Sequence, residues 1–404
     1  MELGPILSAM RRNKVGASII VIQTAITLAI LCNSLFIIQQ RLRLSSRPTG
    51  AQEETIFTIA NQWVGNPPDL VARVQADLAA LRAVPGVVDA FVSNSYPLSN
   101  GGWDDGISLE AGDQHWVTQG ALYFSDEHGL TTLGLKLVAG RNFNAMEIAD
   151  RNDLEGKPPS AVIVSQALAS TLFPLGGALG KSIYLASQKQ KTPIVGIVDR
   201  LQEPWVHGGN RHSENAMLQP YRYVEQYSHY IVRARPGQLE SVIKDTQKQL
   251  LGINRARILE RTRTMTESRR LAYRDDRGLA VILGVVSAIM LIVTAFGIIG
   301  VTSFWVAQRR RQIGIRRAVG ASQTAILRYF QTENLMIAAA GAALGIVLAF
   351  ALNLWMAGKF EIARLQIGYT VVAAILVMLL GQIAVLWPAL RAASISPVVA
   401  IRNV

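Results

Sequence analysis

Four long apolar runs, at residues 15–38, 279–307, 335–357 and 369–389, constrain this chain more than any other feature. Each is almost free of charge, and about 20 apolar residues in a helix cross a bilayer core of roughly 30 Å. Buried helices of soluble proteins rarely run so far without a charged face. The runs predict four transmembrane helices, with one large segment outside the membrane between the first and the second. The first run follows Arg11, Arg12 and Lys14, as a signal peptide would. It exceeds an h-region of about 7–15 residues and has no small-x-small site before Gln39-Gln40-Arg41, so it reads as an uncleaved span. Cys32, the one cysteine, falls inside that span, which excludes a disulfide or a thiolate metal site within one chain.

The formal charge of +12 suggests nucleic acid until it is partitioned. Residues 41–277 carry 27 Lys/Arg against 25 Asp/Glu, so the large segment is close to neutral. The short stretches flanking the spans carry the excess: Arg11, Arg12, Lys14, Arg309, Arg310, Arg311, Arg316, Arg317, Arg328, Arg391 and Arg402, opposed by Glu2 and Glu333. This is the positive-inside pattern. It predicts a cytoplasmic N-terminus, 308–334 loop and C-terminus, with 41–277 and 358–368 facing outward. Arg41, Arg43 and Arg47 at the start of the outer segment pull the other way, but long domains are translocated largely regardless of charge. The charge therefore reads as an orientation signal, and no nucleic-acid partner is expected.

Within 41–277, strand-like residues at Glu54–Trp63, helical spacing of Leu70, Val74, Leu78 and Leu81, and the β-branched run Val87–Ser93 form one βαβ pattern. The same order recurs at His229–Arg235, Leu239–Leu251 and Arg255–Arg263. Two such units some 130 residues apart in the chain predict an α+β domain with a split βαβ layer and an insert at about 97–225. The insert is rich in Gly and Pro, with short strand candidates at Ala161–Ser165 and Pro193–Val198.

Chemistry is sparse there. Gly176–Ser182 (GGALGKS) imitates a phosphate loop, yet a Walker A motif needs glycine where Leu175 stands, so a turn before a strand is the better reading. His207, His212 and Glu214 match no standard metal spacing. Asp104, Asp105 and Glu110 lie in a Gly-Gly-Trp-Asp-Asp-Gly setting that reads as an exposed turn without a nucleophile. Neither Gly-x-Ser-x-Gly nor His-Glu-x-x-His occurs. No catalytic, cofactor or metal site is expected. Gln23, Asn33, Asn353 and Gln382 are scattered through the spans rather than aligned as an ion path. Ala338, Gly341, Ala342 and Gly345 read as a close-packing stripe.

The informative stretch is Gln308–Leu335, QRRRQIGIRRAVGASQTAILRYFQTENL. A triple arginine leads into a short amphipathic element, with Ile313, Ile315, Ala318 and Val319 on its apolar side, that breaks at Gly320. An ordinary basic loop needs arginines but no particular order. A helix docking onto a cytoplasmic partner needs glycines for close approach (Gly314, Gly320) and arginines to meet acidic groups.

Here the sequence resembles the MacB/FtsX-type permeases of ABC transporters. The family pattern after the second span is close to R-x-x-E-I-G-I-R-R-A-L-G-A. This chain has Arg310, Arg311, Gln312, Ile313, Gly314, Ile315, Arg316, Arg317, Ala318, Val319, Gly320 and Ala321, departing chiefly at Gln312. Glu333 occupies the place of the glutamate that typically opens the third span. Trp387–Ala393 and Ser396–Arg402 resemble the family's closing P-A-x-x-A and P-x-x-A-L-R. Met10–Gly16, Leu137–Phe143, Val162–Phe173 with Pro174, and Ile194–Asp199 also look similar.

The resemblance implies a permease subunit that is not itself an enzyme, with ATP and Mg held by a separate ABC ATPase subunit. Residues 310–320 with Glu333 would be its coupling contact. It also implies a second permease subunit, identical or paralogous, and an outer domain of a Porter-like layer with an inserted Sabre-like subdomain. The expected organisation is a cytoplasmic segment at 1–14, spans at 15–40, 278–307, 335–357 and 369–390, a periplasmic domain at 41–277, a coupling loop at 308–334, a periplasmic loop at 358–368 and a cytoplasmic tail at 391–404. The setting is a bacterial inner membrane, among its lipids. Mechanotransmission is the implied activity: export of a peptide, antibiotic or siderophore-like substrate through a periplasmic adaptor and an outer-membrane channel. Lipoprotein extraction or cell-wall hydrolase activation by the same motion is the alternative, and an envelope sensor or scaffold the reading from another class.

Overall fold

The structure, a computed structural model, describes residues 14–65, 67–111, 116–151, 158–186, 190–206, 213–360 and 363–394. It divides into two compact units, one of residues 45–275 and one of the described parts of 1–44 and 276–404. Helix α1 (Lys14–Ser45) opens the second of these.

Residues 45–275 begin with β1 (Ile56–Trp63), α2 (Leu70–Ala83) and β2 (Val87–Ser93). The chain then makes β3 (Trp103–Ser108), β4 (Thr118–Phe124), α3 (Gly129–Leu133), β5 (Leu137–Gly140), β6 (Ala149–Arg151), β7 (Val162–Ser165) and α4 (Gln166–Leu172). It continues through β8 (Ser182–Leu185), β9 (Lys191–Val198), β10 (Ala216–Gln219) and β11 (Tyr221–Tyr223). It returns with β12 (Tyr227–Ala234), α5 (Leu239–Ile253), β13 (Arg257–Thr264) and α6 (Met265–Ala272).

The first and last groups build one four-stranded antiparallel sheet in the order β13-β1-β12-β2. Helices α2 and α5 each join strands that have one other strand between them. Val74, Leu78 and Leu81 repeat at helical spacing and bury that stripe of α2 against Phe57, Ile59, Tyr230 and Val232 of the sheet. The opposite face meets the insert, where Ile56, Phe91 and Ile231 cluster with Tyr123, Ile163 and Leu218. In the insert the strand order is β5-β9-β7-β10-β4-β3-β8, and β8 also pairs with β9, closing six strands into a ring with β5 outside it. Two local readings change or gain detail. Asp104 and Asp105 lie not in a turn but in β3, opposite Ala121 and Gly120 of β4, so cross-strand pairing overrides the poor strand preference of Asp-Asp-Gly. Gly176, Gly177 and Gly180 take positive φ in the turn before β8, and the Lys181 ammonium lies over the Phe173 ring.

One ion pair in this unit is wholly enclosed. Arg257 of β13 donates from Nη1 and Nη2 to both oxygens of Asp77 on α2, at 2.7 and 2.8 Å, and neither side chain is exposed. Tyr230 donates its hydroxyl to the same carboxylate at 2.6 Å, and the guanidinium lies 4.1 Å from the centre of the Trp63 ring. A second pair lies where the chain enters and leaves the unit. Arg269 of α6 donates to both oxygens of Glu53 at 2.6 Å and to the carbonyls of Ser45 and Arg47. Burial pushes the Glu53 carboxyl up, but the hydrogen bonds from Arg269 and Thr49 outweigh it and hold the group below its ordinary 4.5.

The other unit continues with α7 (Arg274–Gln308), α8 (Arg310–Ala318), α9 (Gln323–Phe360) and α10 (Ile367–Ala393). Helices α1, α7, α9 and α10 are long and apolar enough to cross a membrane. Even the 27-residue α10 would reach about 40 Å. Helix α9 begins twelve residues before the 335 expected from hydropathy, because the Ser322 hydroxyl accepts the Ala325 amide and starts it among polar residues. Helix α1 is tied to α7 by Gln23 to the Val293 carbonyl, Thr27 to Thr294, and Arg41 to Asp276. It is tied to α9 by Asn33 to the Ala349 carbonyl. The small-residue stripe meets α1: a Cβ added at Gly345 would come 2.9 Å from the Ala25 carbonyl oxygen, and one at Gly341 2.8 Å from Thr24.

Two outcomes follow from the pairs in residues 45–275. Asp77→Ala leaves Arg257 charged and enclosed, so it should cost about 3–5 kcal/mol, read as a fall in thermal midpoint. For Glu53, whose folded value is depressed, the stabilisation is full above 4.5 and fades as pH falls through the lower folded value. The difference in thermal midpoint between the natural protein and Glu53→Gln should therefore be largest near neutrality and shrink in acid.

Candidate functional site

The arginine-rich segment folds as α8, nine residues between two breaks. Its start is fixed from the side. The Arg309 guanidinium lies 5.8 Å from the Trp305 ring, and Nη1 donates to both oxygens of Glu333 at 2.9 and 3.0 Å. Glu333 is only 1% exposed. Its position eleven residues into α9 would strand a charge without that partner. Ile313 is the apolar anchor of α8, buried with Trp305, Ile326, Phe330, Ala389 and Ala392. Arg317 donates to the Ala393 carbonyl at 2.8 Å, a cation on the last turn of α10 where the helix dipole is negative.

The end of α8 is a Schellman stop. The Ala321 amide bonds the Arg316 carbonyl and the Gly320 amide bonds the Arg317 carbonyl. Gly320 has φ +103°, a conformation that a residue with a Cβ adopts only under strain. Ser322 then caps α9, so four residues separate the last residue of α8 from the first of α9.

These contacts divide the expected residues by face. Ile313, Gly314 and Glu333 are buried, and Arg317 is half-buried. Arg310, Arg311, Gln312, Ile315, Arg316, Ala318, Val319 and Gly320 are exposed, with Arg316 over the Tyr329 ring. The single apolar side expected from sequence is thus split. Ile313 turns into the bundle, while Ile315 (48% exposed) and Val319 (84% exposed) stand with the arginines on the open side. Residues 315 and 319 are one turn apart and make an apolar strip flanked by cations. Sequence reasoning missed Arg309 and Tyr329 as parts of this site. The signal for Arg309 was faint: it directly precedes the helix, but Arg310, Arg311, Arg316, Arg317 and Arg328 all stand nearer Glu333 in sequence.

Other candidates do not assemble into chemistry. Among the described residues no group of three His, Cys, Asp or Glu side chains could hold a metal. His207 and His212 lie outside the described residues, and Glu214 pairs with Arg200. Ser396–Arg402 and Met10–Asn13 also lie outside them. In the membrane unit Gln23, Asn33 and Asn353 make structural hydrogen bonds, the last accepting the Leu365 amide.

Four helices long and apolar enough to cross a membrane, a short basic helix between the second and third, and one α+β domain mark a polytopic membrane protein. Family comparison makes this specific. Residues 24–249, more than half of the chain, match the MacB-like periplasmic core domain, and residues 284–397 match the FtsX-like permease C-terminal domain. The chain belongs to the MacB/FtsX-type family of ABC transporter permeases. It is similar to the macrolide export ATP-binding/permease protein MacB of Chromobacterium violaceum, at 24% identity over 66% of this chain and 40% of that protein. The pyoverdine export ATP-binding/permease protein PvdT of Pseudomonas syringae pv. tomato is 29% identical over 54% of this chain and 34% of that protein. MacB of Bartonella henselae is 27% identical over 82% of this chain and 48% of that protein. The chain spans less than half the length of these relatives. Four apolar helices with a MacB-like periplasmic domain fit an inner-membrane protein.

The clamp makes a direct prediction. Arg309→Met leaves Glu333 buried and unpaired, so the thermal midpoint should fall and amide exchange across 309–321 should speed up. Replacing both partners, Arg309→Met with Glu333→Leu, should recover most of the midpoint. An equal loss in single and double variants would contradict the assignment.

Proposed function

We propose that this chain is the permease subunit of an ABC exporter, and that the open face of α8 is where a separate ATP-binding subunit docks. The observation that carries this is the division of α8: one face is anchored by Ile313, Arg317 and the Arg309–Glu333 pair, while the other offers Ile315 and Val319 among Arg310, Arg311 and Arg316. A helix held on one side and left apolar and cationic on the other suits a partner groove with an apolar floor and acidic rim. Gln312, where the family carries Glu, is exposed on α8, so any contact it makes with the partner would be neutral rather than ionic.

In this reading the arginines place the N-terminus, α8 and the C-terminus in the cytoplasm, and residues 45–275 in the periplasm. The four-stranded sheet with α2 and α5 is the Porter-like split βαβ layer, and the insert is the Sabre-like subdomain. ATP and Mg bind the partner. Its closure shifts α8 and with it the spans, and the periplasmic domain changes shape without a pore through the membrane. A second permease subunit completes the transporter. Helix α7 offers it a seam, since Ile282, Val285, Ile289, Ile292 and Phe296 are all exposed and alternate at spacings of three and four. The relatives' names favour export, and a peptide, antibiotic or siderophore-like substrate would leave through an adaptor and an outer-membrane channel.

Ile315→Glu with Val319→Glu tests the docking face. Both side chains are exposed, so the variant should keep its thermal midpoint, yet the ATP-binding subunit should no longer co-purify and its permease-stimulated hydrolysis should drop to the level of the free subunit. Unchanged co-purification and stimulation would remove α8 as the coupling contact.

A further inference from the structure

Residues 45–275 are entered and left by two chain segments, one continuing from α1 and one continuing into α7. Side chains tie these segments to each other and to the insert. Arg269, on the segment that leads to α7, grips the carbonyls of Ser45 and Arg47 at 2.9 and 2.8 Å and both oxygens of Glu53. Glu53 also accepts the Thr49 hydroxyl at 2.6 Å. The Thr49 carbonyl accepts the backbone amide of Gln202 at 2.9 Å, and Gln202 lies between β9 and β10 of the insert. From there the Gln202 side-chain amide donates to the Tyr273 hydroxyl at 3.0 Å, back on the segment that leads to α7. The Gln202 carbonyl accepts the hydroxyl of Tyr123, on β4 of the insert, at 2.6 Å. Thr49, Tyr123, Gln202 and Tyr273 are all buried. At Gly50, φ is +92° and an added Cβ would lie 2.0 Å from the Arg200 carbonyl oxygen, so the entering segment crosses the 200–202 loop at backbone contact.

Buried hydrogen bonds are directional and costly to leave unmade. A segment held by several of them cannot slide past its neighbours without breaking the set. The four-stranded layer meets the entering segment through an exposed contact, Arg233 of β12 on the Gln52 side chain, and meets the insert through Arg82–Asp126 and Asp89–His128. The insert, by contrast, is bonded to both segments through the buried Gln202.

We propose that the buried knot of Arg269, Glu53, Thr49, Gln202 and Tyr273 is a mechanical joint that makes the insert follow displacements of the two segments running to α1 and α7. These are positioning residues, and the proposal rests on the reading of this chain as an ATP-driven permease. Its consequence is that the insert moves relative to the four-stranded layer during the ATP cycle, with the 200–202 loop as the point of attachment.

The test uses the full chain in lipid nanodiscs with its ATP-binding subunit. Spin labels at Leu175→Cys on the insert and Lys248→Cys on α5, both exposed positions, report the distance between insert and layer by double electron–electron resonance. Cys32 is buried in α1 and is replaced by Ala. In the natural background, ATP binding should shift the distance distribution. Tyr273→Phe, which removes one hydroxyl, and Arg269→Lys, which keeps the charge but loses the fork, should each abolish most of that shift while the complex still hydrolyses ATP. If both variants shift as far as the natural protein, the joint is wrong and the permease reading stands. If the natural complex binds and hydrolyses ATP without any shift, the mechanotransmission reading falls, and the joint with it.

Discussion

The α8 end of the helical unit depends on one enclosed carboxylate. Glu333 lies well inside α9 yet ahead of the apolar run that hydropathy picks out, and its charge is met by Arg309 at 2.9 and 3.0 Å. An enclosed anion without a partner costs several kcal/mol, so the pair sets where α7 ends and where α8 starts. The next constraint is backbone rather than side chain. Gly320 at φ +103° stops α8, and the Ser322 hydroxyl starts α9 two residues later. Between a fixed start and a fixed stop, α8 has one orientation. That orientation puts Ile313 inside and Ile315 with Val319 outside.

The extramembrane unit is organised by the same economy of enclosed charge. Asp77 and Arg257 bind helix α2 to strand β13 across the four-stranded layer, and Tyr230 on β12 adds a third element. Arg269 and Glu53 do this for the two chain segments at the unit's base. In each case an arginine fork satisfies a carboxylate at both oxygens, the geometry that holds two elements at a fixed angle as well as a fixed distance. Such pairs contribute little net stability against an apolar replacement, but they penalise any arrangement that separates the partners. For a domain expected to carry motion, that penalty is useful.

How far the sequence reached depended on the range of each interaction. The four spans and the repeated strand-helix-strand order are local patterns, and hydropathy and periodicity resolve them. The start of α9 was not legible from hydropathy, because Gln323, Thr324 and Glu333 look like loop residues until the Ser322 cap and the Arg309 partner are seen. The direction of α8 was misread for a related reason. A helical wheel groups Ile313, Ile315, Ala318 and Val319 as apolar, yet it holds no information on which of them faces a bundle. Asp77 and Arg257 stand 180 positions apart, so nothing in the sequence marks them as a pair. The same holds for Gln202 and Tyr273, which meet only because the insert folds back over the base of the unit.

The claim that α8 is the handle of the transporter is tested most directly by placing a photo-reactive benzoylphenylalanine at Val319 in the membrane-embedded protein. Illumination should produce one dominant adduct with an ATP-binding subunit, and the same probe at Ile313, on the buried face, should give none. Adducts to lipid alone from Val319, or equal adducts from both positions, would contradict the account.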